Sequence, residues 1–260
     1  MSDDDNHILN LFVRSTNGAI TRDIESDLPL AVRGIAKKKN IKLSEKNGRD
    51  YYYVDTGYFG NFPSVGNTTG KKLYHRIVKN NLQHTETRKV LPDRWNKLVG
   101  QDPRLEWTGW KHGGKKILLI LPNPKACNFY GIDCQTWIDN TTASIKKYSN
   151  FPIEIREKGS RVYRNFEYSI YDAFDTGVYA TVCFNSIAAV ESILYGIPAF
   201  VSVPCAASPL ANTDLANLPN PWRPSGEQIL EQCQNLAYGQ FTVDEIADGT
   251  AWRILNETSN

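Results

Sequence analysis

Apolar residues occur along this chain both in short continuous runs and in longer stretches with helical spacing, and the two kinds of segment alternate. The run at 117–121 is apolar at every position, which is typical of a strand buried on both faces of a sheet. Alternation of such strands with helices predicts an α/β protein with parallel sheets and crossover helices.

The same pattern assigns individual elements. We predict strands at 8–13, 51–55, 73–78, 117–121, 153–157, 181–184 and 199–203. We predict helices at 28–38, 133–148, 169–174, 186–194, 225–239 and 243–255. The segment 57–70 is rich in Gly, Asn, Pro and Thr and is expected to be an ordered loop.

Residues 101–114 have no clear periodicity and separate two blocks of alternating structure. With 260 residues, the chain can form two small lobes but not two large domains. We therefore predict two Rossmann-like lobes, an N-terminal one at 1–110 and a C-terminal one at 111–260, with a cleft between them. The second lobe is expected to include the C-terminal helices.

Composition narrows the possible functions. No apolar run approaches the roughly 20 residues that span a bilayer, and the first residues are acidic rather than basic, so we expect a cytoplasmic protein without a membrane span. The five cysteines are scattered without zinc-ligand spacing, and we expect reduced thiols. With a formal net charge of only +2, the chain could bind nucleic acid only through local patches of basic residues.

The most informative segment is 179–204. Asn185 and Ser186 follow a strand and precede a helix, where such residues cap the helix or present backbone N–H groups to an anion. Glu191 stands in a run of apolar and small residues, and a ribose diol would supply hydrogen-bond donors to its carboxylate. The same order also suits an ordinary βαβ crossover with an exposed Glu191.

The run ATVCFNSIAAVESILYGIPAFV resembles the C-terminal lobe of GT-B-type glycosyltransferases, in particular short phage-encoded glycosyltransferases and capsule-polysaccharide transferases. The resemblance covers about 25 residues and is loose over the rest of the second lobe. It implies that Asn185 and Ser186 lie near the phosphates of a nucleotide-sugar donor and that Glu191 holds its ribose.

Basic residues follow the strand predicted at 153–157. Arg156 and Lys158 match a basic strand end that is common in the phage-encoded proteins, where they would bind the donor pyrophosphate. A solvated basic loop explains them equally well. The turn at 122–125 borders the cleft in the family, but it is equally well explained as a simple end to a strand.

The first lobe is expected to hold the acceptor and the base. Asp55 follows a strand and begins a segment, Asp-Thr-Gly-Tyr-Phe, that is similar to one in the phage-encoded proteins, so it is our first candidate for the general base. A carboxylate that caps its own loop is at least as good an explanation. The further candidates are Asp23 as a second catalytic acid and Arg14, Tyr58, His75 and Arg76 around the acceptor.

These residues predict a glycosyltransferase that moves a sugar from a nucleotide-sugar, expected to be UDP-linked, to a hydroxyl acceptor. No resident cofactor or metal is expected, since the chain lacks the usual phosphate-loop, zinc and dinucleotide motifs. The resemblance to phage proteins suggests a hydroxymethylated pyrimidine in DNA as acceptor, with contacts from basic clusters at 37–39, 71–72 and 111–116. The alternative is a non-catalytic GT-B-like protein that binds a nucleotide or a host component.

Overall fold

A computed structural model of the protein describes residues 3–21, 26–61, 73–157 and 169–257. Its strands are β1 Leu30–Arg33, β2 Tyr51–Thr56, β3 Tyr74–Lys79, β4 Lys116–Ile120, β5 Ile153–Arg156, β6 Val178–Cys183, β7 Ala199–Val201 and β8 Gln240–Thr242. Its α-helices are α1 Asp3–Ser15, α2 Lys38–Lys46, α3 Asp93–Gln101, α4 Pro124–Tyr130, α5 Cys134–Tyr148, α6 Ile170–Phe174, α7 Ala188–Leu194, α8 Gly226–Tyr238, α9 Val243–Ala247 and α10 Thr250–Glu257. Short 3₁₀ helices occupy Ile35–Lys37, Pro103–Leu105 and Leu215–Asn217.

The chain divides into two units. The first contains Met1–His84, Val90–Gln101 and Asn235–Asn260, and the second contains Thr85–Lys89 and Asp102–Gln234. The last 26 residues, which the sequence analysis assigned to the second lobe, lie in the first unit. They do so because β8 pairs with β3 and completes the first sheet.

The first unit contains a four-stranded sheet in the order β1-β2-β3-β8. Only β1 and β2 are parallel, whereas β2 with β3 and β3 with β8 are antiparallel. This sheet is therefore mixed rather than parallel as expected. Helices α1, α9 and α10 cover one face and bury a core made by Ile8, Phe12, Tyr52, Val54, Ile77, Phe241, Ile246 and Ala251.

Two predicted elements of the first unit are wrong. The segment at 8–13, predicted as a strand, belongs to α1, because Ile8 and Phe12 are four residues apart and bury one helical face against the sheet. The segment at 28–38, predicted as a helix, contains the strand β1. Its residues pair with β2, which supplies hydrogen-bond partners that the local sequence does not reveal.

Other differences are local. The helix predicted at 243–255 is two helices, because Gly249 has a φ of 84° and ends the continuous helical backbone after α9. The strands expected at 51–55 and 73–78 are confirmed as β2 and β3. Most of the loop expected at 57–70 lies outside the described residues.

The second unit contains a wholly parallel sheet in the order β5-β4-β6-β7. Its predicted strands and helices are confirmed, with ends that differ by a few residues. Strand β4 is fully buried at Ile117, Leu118 and Leu119, as its continuous apolar run indicated. The predicted helix at 133–148 begins where the Asp133 carboxylate accepts a hydrogen bond from the Thr136 N–H at 2.8 Å.

The expectation that all cysteines are reduced is wrong for two of them. Cys127 in α4 and Cys134 at the start of α5 form a disulfide, with their Cα atoms 5.7 Å apart. The turn between the two helices brings the sulfurs together, a proximity that a spacing of seven residues does not predict. Cys183, Cys205 and Cys233 are buried free thiols.

Within the described ranges, no helix combines the length and the apolar character that a transmembrane segment requires.

Candidate functional site

The second unit has a topological switch point beside its central strand. The chain leaves β4 through α4 and α5 to reach β5 on one side, and then crosses back through α6 to β6 on the other side. Arg156 of β5 and Cys183 of β6 both lie in register with Ile120 at the end of β4. In parallel sheets, ligands bind just beyond such strand ends, where neighbouring connections diverge.

The loop after β6 places Asn185 and Ser186 at this edge, and both are half-buried. The Ser186 hydroxyl oxygen accepts the Ala188 N–H at 3.2 Å, and its carbonyl oxygen accepts the Ala189 N–H at 3.1 Å. Ser186 thus stabilises the first turn of α7. The buried Cys183 thiol beneath it has a raised pKa because of its burial, so it is a poor nucleophile.

The loop after β4 borders the same edge. Asn123 begins α4, and its side-chain oxygen accepts the Lys125 N–H at 2.9 Å. The Leu121 N–H donates to the Arg156 carbonyl oxygen at 3.0 Å, which fixes the end of β5 beside that of β4. Arg156 is half-buried there. Lys158, which was also predicted to bind the pyrophosphate, lies outside the described residues.

Aromatic side chains support these strand ends from below. The Phe184 ring lies 5.6 Å from the rings of both Tyr130 and Trp137, in edge-on contacts. The Trp137 indole N–H donates to the Ser202 hydroxyl oxygen at 2.9 Å, just after β7. No local pattern in the sequence marks these contacts, because their partners come from separate segments of the chain.

Helix α7 is fixed to the sheet by buried polar contacts. The Thr181 hydroxyl donates to that of Ser192 at 2.8 Å, and Ser192 donates to the Ile197 carbonyl oxygen at 3.0 Å. After the helix, Gly196 has a φ of 89° and its carbonyl oxygen accepts the Lys111 N–H at 2.8 Å. A Cβ at Gly196 would lie 2.4 Å from the Gly109 carbonyl oxygen, so glycine is required for this backbone crossing.

Glu191 is half-buried on α7 and lies within electrostatic range of two residues that the sequence analysis missed. Its negative charge contributes to raising the pKa of Arg104, after the larger effect of Asp102. It also contributes to raising the pKa of Tyr171, after the larger effect of burial. Arg104 falls within the non-periodic segment 101–114, where no pattern marked a functional side chain.

In the first unit, Asp55 and Arg76 lie opposite each other on β2 and β3. Arg76 Nη2 donates to Asp55 Oδ2 at 3.1 Å, and the Tyr53 hydroxyl donates to the same oxygen at 2.8 Å. The Thr56 N–H donates to Oδ1 at 2.7 Å. Burial alone would raise the pKa of Asp55, but these donors hold it below its ordinary value.

The other candidates of the first unit occupy separate contacts. Tyr58 shares a 2.9 Å hydrogen bond with His84, and its backbone N–H donates to Gln240 Oε1 at 2.7 Å. His75 is buried, with Nδ1 3.4 Å from Arg33 Nη1. Arg14, which follows the segment predicted as a strand at 8–13, is exposed in the last turn of α1.

The remaining candidates were Asp23 and the basic clusters. Asp23 and the cluster at 71–72 lie outside the described residues. The described part of the chain has no group of three His, Cys, Asp or Glu side chains that could hold a metal ion. Near the basic cluster at 111–116, Trp107 and Trp110 pack edge-on 5.1 Å apart, and the Trp110 indole N–H donates to the Pro224 carbonyl oxygen at 3.0 Å.

Comparison with known proteins gives a fold but no family. No family model matches the chain, and no curated protein does. Among solved structures, it is similar to a β-Kdo 2,4-transferase, KpsC of Thermosulfurimonas dismutans, with a TM-score of 0.52 and 11% identity over 90% of this chain and 88% of that one. It is similar to a β-Kdo 2,7-transferase, also KpsC of that organism, with a TM-score of 0.52 and 10% identity over 96% of each chain.

At these identities the likeness shows the fold alone. The predicted α/β fold of GT-B-like type is confirmed, with a parallel sheet in the second unit and a mixed sheet in the first. The expected resemblance to capsule-polysaccharide transferases is supported at the level of the fold, whereas the resemblance to phage-encoded proteins has no support here.

Proposed function

We propose that this chain is a glycosyltransferase that binds a nucleotide-sugar at the carboxyl ends of β4, β5 and β6 and transfers the sugar to a hydroxyl acceptor. The observation that carries this proposal is the switch point, where Arg156 and the Asn185-Ser186 loop border one sheet edge. The similarity in fold to two Kdo transferases supports it.

Each residue of this edge has a proposed role. As the bond between the anomeric carbon and the phosphate oxygen breaks, negative charge develops on the departing nucleotide, and Arg156 would stabilise that charge. Asn185 and Ser186 would contact the phosphates, together with Lys158. Glu191 would accept hydrogen bonds from the ribose hydroxyls.

The donor is proposed to be UDP-linked, and the names of the structural neighbours add nucleotide-activated Kdo as a second donor to test. We propose that the acceptor hydroxyl binds in the first unit, with Arg14, Tyr58, His75 and Arg76 as its contacts. A hydroxymethylated pyrimidine in DNA remains one acceptor to test. We propose that the transfer requires no metal ion.

Asp55 remains our proposed general base, with Asp23 as the other candidate acid. A base takes the proton of the acceptor hydroxyl as the new glycosidic bond forms. Because three donors hold its pKa below the ordinary value, Asp55 is a weak proton acceptor. This observation favours a second candidate function, a GT-B-like protein that binds a nucleotide without turnover.

Calorimetry with UDP, CDP, CMP, GDP and ADP tests the shared part of both functions. We expect one nucleotide to bind, and we expect Glu191→Ala to weaken its binding by about tenfold or more, since a lost charged hydrogen bond costs about 1.5 to 3 kcal/mol. Asp139→Ala is the matched control, because Asp139 is an exposed acid on α5 of the same unit. Equal weakening in both variants, or no binding at all, would contradict the proposed site.

Turnover then separates the enzyme from the binding protein. UDP-sugars and nucleotide-activated Kdo are incubated with the wild-type chain, with and without hydroxyl acceptors, and released nucleotide is measured. Slow donor hydrolysis that is lost in Glu191→Ala supports the glycosyltransferase. Tight binding without hydrolysis or transfer supports the non-catalytic protein.

A further inference from the structure

Arg104 is held in one orientation by its neighbour Asp102. Its Nε donates to Asp102 Oδ1 at 2.8 Å and its Nη2 donates to Oδ2 at 2.7 Å, a two-pronged pair that fixes the plane of the guanidinium. The Arg104 backbone N–H also donates to Oδ1, at 3.2 Å, at the start of the 3₁₀ helix. Asp102 is buried, whereas 40% of the Arg104 side chain is exposed, so this cation is fixed yet accessible.

An aromatic contact places this cation beside α7. The Arg104 guanidinium carbon lies 5.1 Å from the centre of the Tyr171 ring. That ring in turn lies 5.9 Å from the ring of Tyr195. Tyr195 follows Glu191 by four residues, and its N–H donates to the Glu191 carbonyl oxygen at 2.9 Å, so the two side chains share one helix face. Tyr171 therefore packs beside the face of α7 that carries Glu191, and Arg104 lies over the Tyr171 ring.

The electrostatics agree with this packing. The charge of Glu191 acts on both Arg104 and Tyr171 and contributes to raising the pKa of each. A half-buried carboxylate on a short helix has several rotamers available to it, and a fixed guanidinium at its side favours the one that faces the cation.

We propose that Arg104, held by Asp102 and stacked on Tyr171, is a positioning residue that orients the Glu191 carboxylate toward the ribose of the nucleotide. This inference rests on the proposed function, because it assigns the partner of Glu191 within that same site. Asp102 accepts from Nε and Nη2 and so fixes the guanidinium, and Arg104 acts on Glu191 as an oriented charge.

The test compares ribonucleotides with their 2′-deoxy counterparts, because only a residue that acts on the ribose contact changes that preference. Calorimetry is done on the full chain with UDP against 2′-deoxy-UDP and with CDP against 2′-deoxy-CDP. We expect the wild type to prefer the ribonucleotide by about tenfold, the value of one charged hydrogen bond. We expect Glu191→Gln and Arg104→Met each to reduce that preference to about threefold or less.

Arg94→Met is the matched control. Arg94 also makes a two-pronged pair with a carboxylate, that of Glu245, at 2.7 and 3.0 Å, and also lies over aromatic rings, but it belongs to the first unit. This variant should keep the tenfold preference even where its melting temperature falls. Circular dichroism verifies that each variant is folded.

The outcomes are distinguishable. If Arg104→Met keeps the full preference while Glu191→Gln loses it, the positioning role is overturned and the proposed function stands. The positioning role is also overturned if Arg94→Met loses the preference to the same extent, or if the wild type binds both nucleotides equally. A wild-type chain that binds no nucleotide overturns the proposed function, and the inference with it.

Discussion

Asp55 and Arg76 form an ion pair across two antiparallel strands, with 3.1 Å between Oδ2 and Nη2. The Arg76 side chain is 8% exposed and that of Asp55 is 35% exposed. Arg76 also donates to the Thr56 carbonyl oxygen at 2.7 Å, and its guanidinium lies over the rings of Tyr53 and Tyr58. The pair therefore joins β2 to β3 as well as lying among the candidate acceptor residues.

Replacing Asp55 with Asn should destabilise the first unit, because it leaves a buried guanidinium without its counter-charge. We expect a loss of about 3 kcal/mol, the low end for a broken buried pair, since Asp55 is partly exposed. Asp50→Asn is the control, because the pair of Asp50 with Lys79 is exposed and should contribute less than about 1 kcal/mol. Urea unfolding measures both variants, and equal losses would contradict the structural role of Asp55.

The contribution of Asp55 to stability should depend on pH in a defined direction. Its pKa is lower in the folded chain than in the unfolded one, so the unfolded state binds more protons as the pH falls. Its stabilisation is present above the unfolded pKa, about 3.9, and is lost as the pH falls through the folded value. The difference in unfolding free energy between wild type and Asp55→Asn should thus shrink between pH 6 and pH 3. A constant difference would show that the carboxylate charge is not its cause.

The disulfide between Cys127 and Cys134 should be visible by thiol labelling. The chain has five cysteines, and three are free, so denaturation without reductant should expose three reactive thiols and denaturation with reductant five. Closing so short a loop contributes about 2 kcal/mol on the chain-entropy estimate. Reductant should accordingly lower the melting temperature of the wild type and leave that of a Cys127→Ala/Cys134→Ala variant unchanged. Five reactive thiols without reductant would exclude the bond.

Gly196 should be less tolerant of substitution than a glycine of similar backbone conformation. Alanine at Gly177, which has a φ of 84° and open space around it, should cost only the backbone strain of about 1 kcal/mol. Alanine at Gly196 adds a 2.4 Å contact with the Gly109 carbonyl oxygen and should cost at least twice as much. Thermal unfolding compares the two variants. Equal losses of stability would show that the backbone at Gly109 shifts enough to remove the close contact.

The second unit was largely predictable because its signals are local. The apolar run around Leu118, the Asp133 cap and the polar turn at Asn185 each carry their meaning within a few residues. A parallel strand buried on both faces needs a continuous apolar segment, and such segments can be recognised without knowing the neighbouring strand.

The first unit was less predictable because its elements depend on distant partners. The segment containing Ile8 is short and mostly apolar, so its period does not distinguish strand from helix until the sheet that it covers is known. Likewise β1 exists through its pairing with β2, and β8 through its pairing with β3 from almost 170 residues away. Local propensity is weak compared with such pairing.

The sequence by itself determined the α/β class, the strands of the second sheet and the segment around Glu191 where a nucleotide is proposed to bind. The tertiary structure alone decided that the C-terminal residues complete the first sheet, that Cys127 bonds to Cys134 and that Arg104 lies over the ring of Tyr171. The physical reason is the sequence separation over which each interaction acts. Hydrophobic periodicity and helix capping act within one or two helical turns, whereas charge pairing and strand pairing depend on distances that only the folded chain sets.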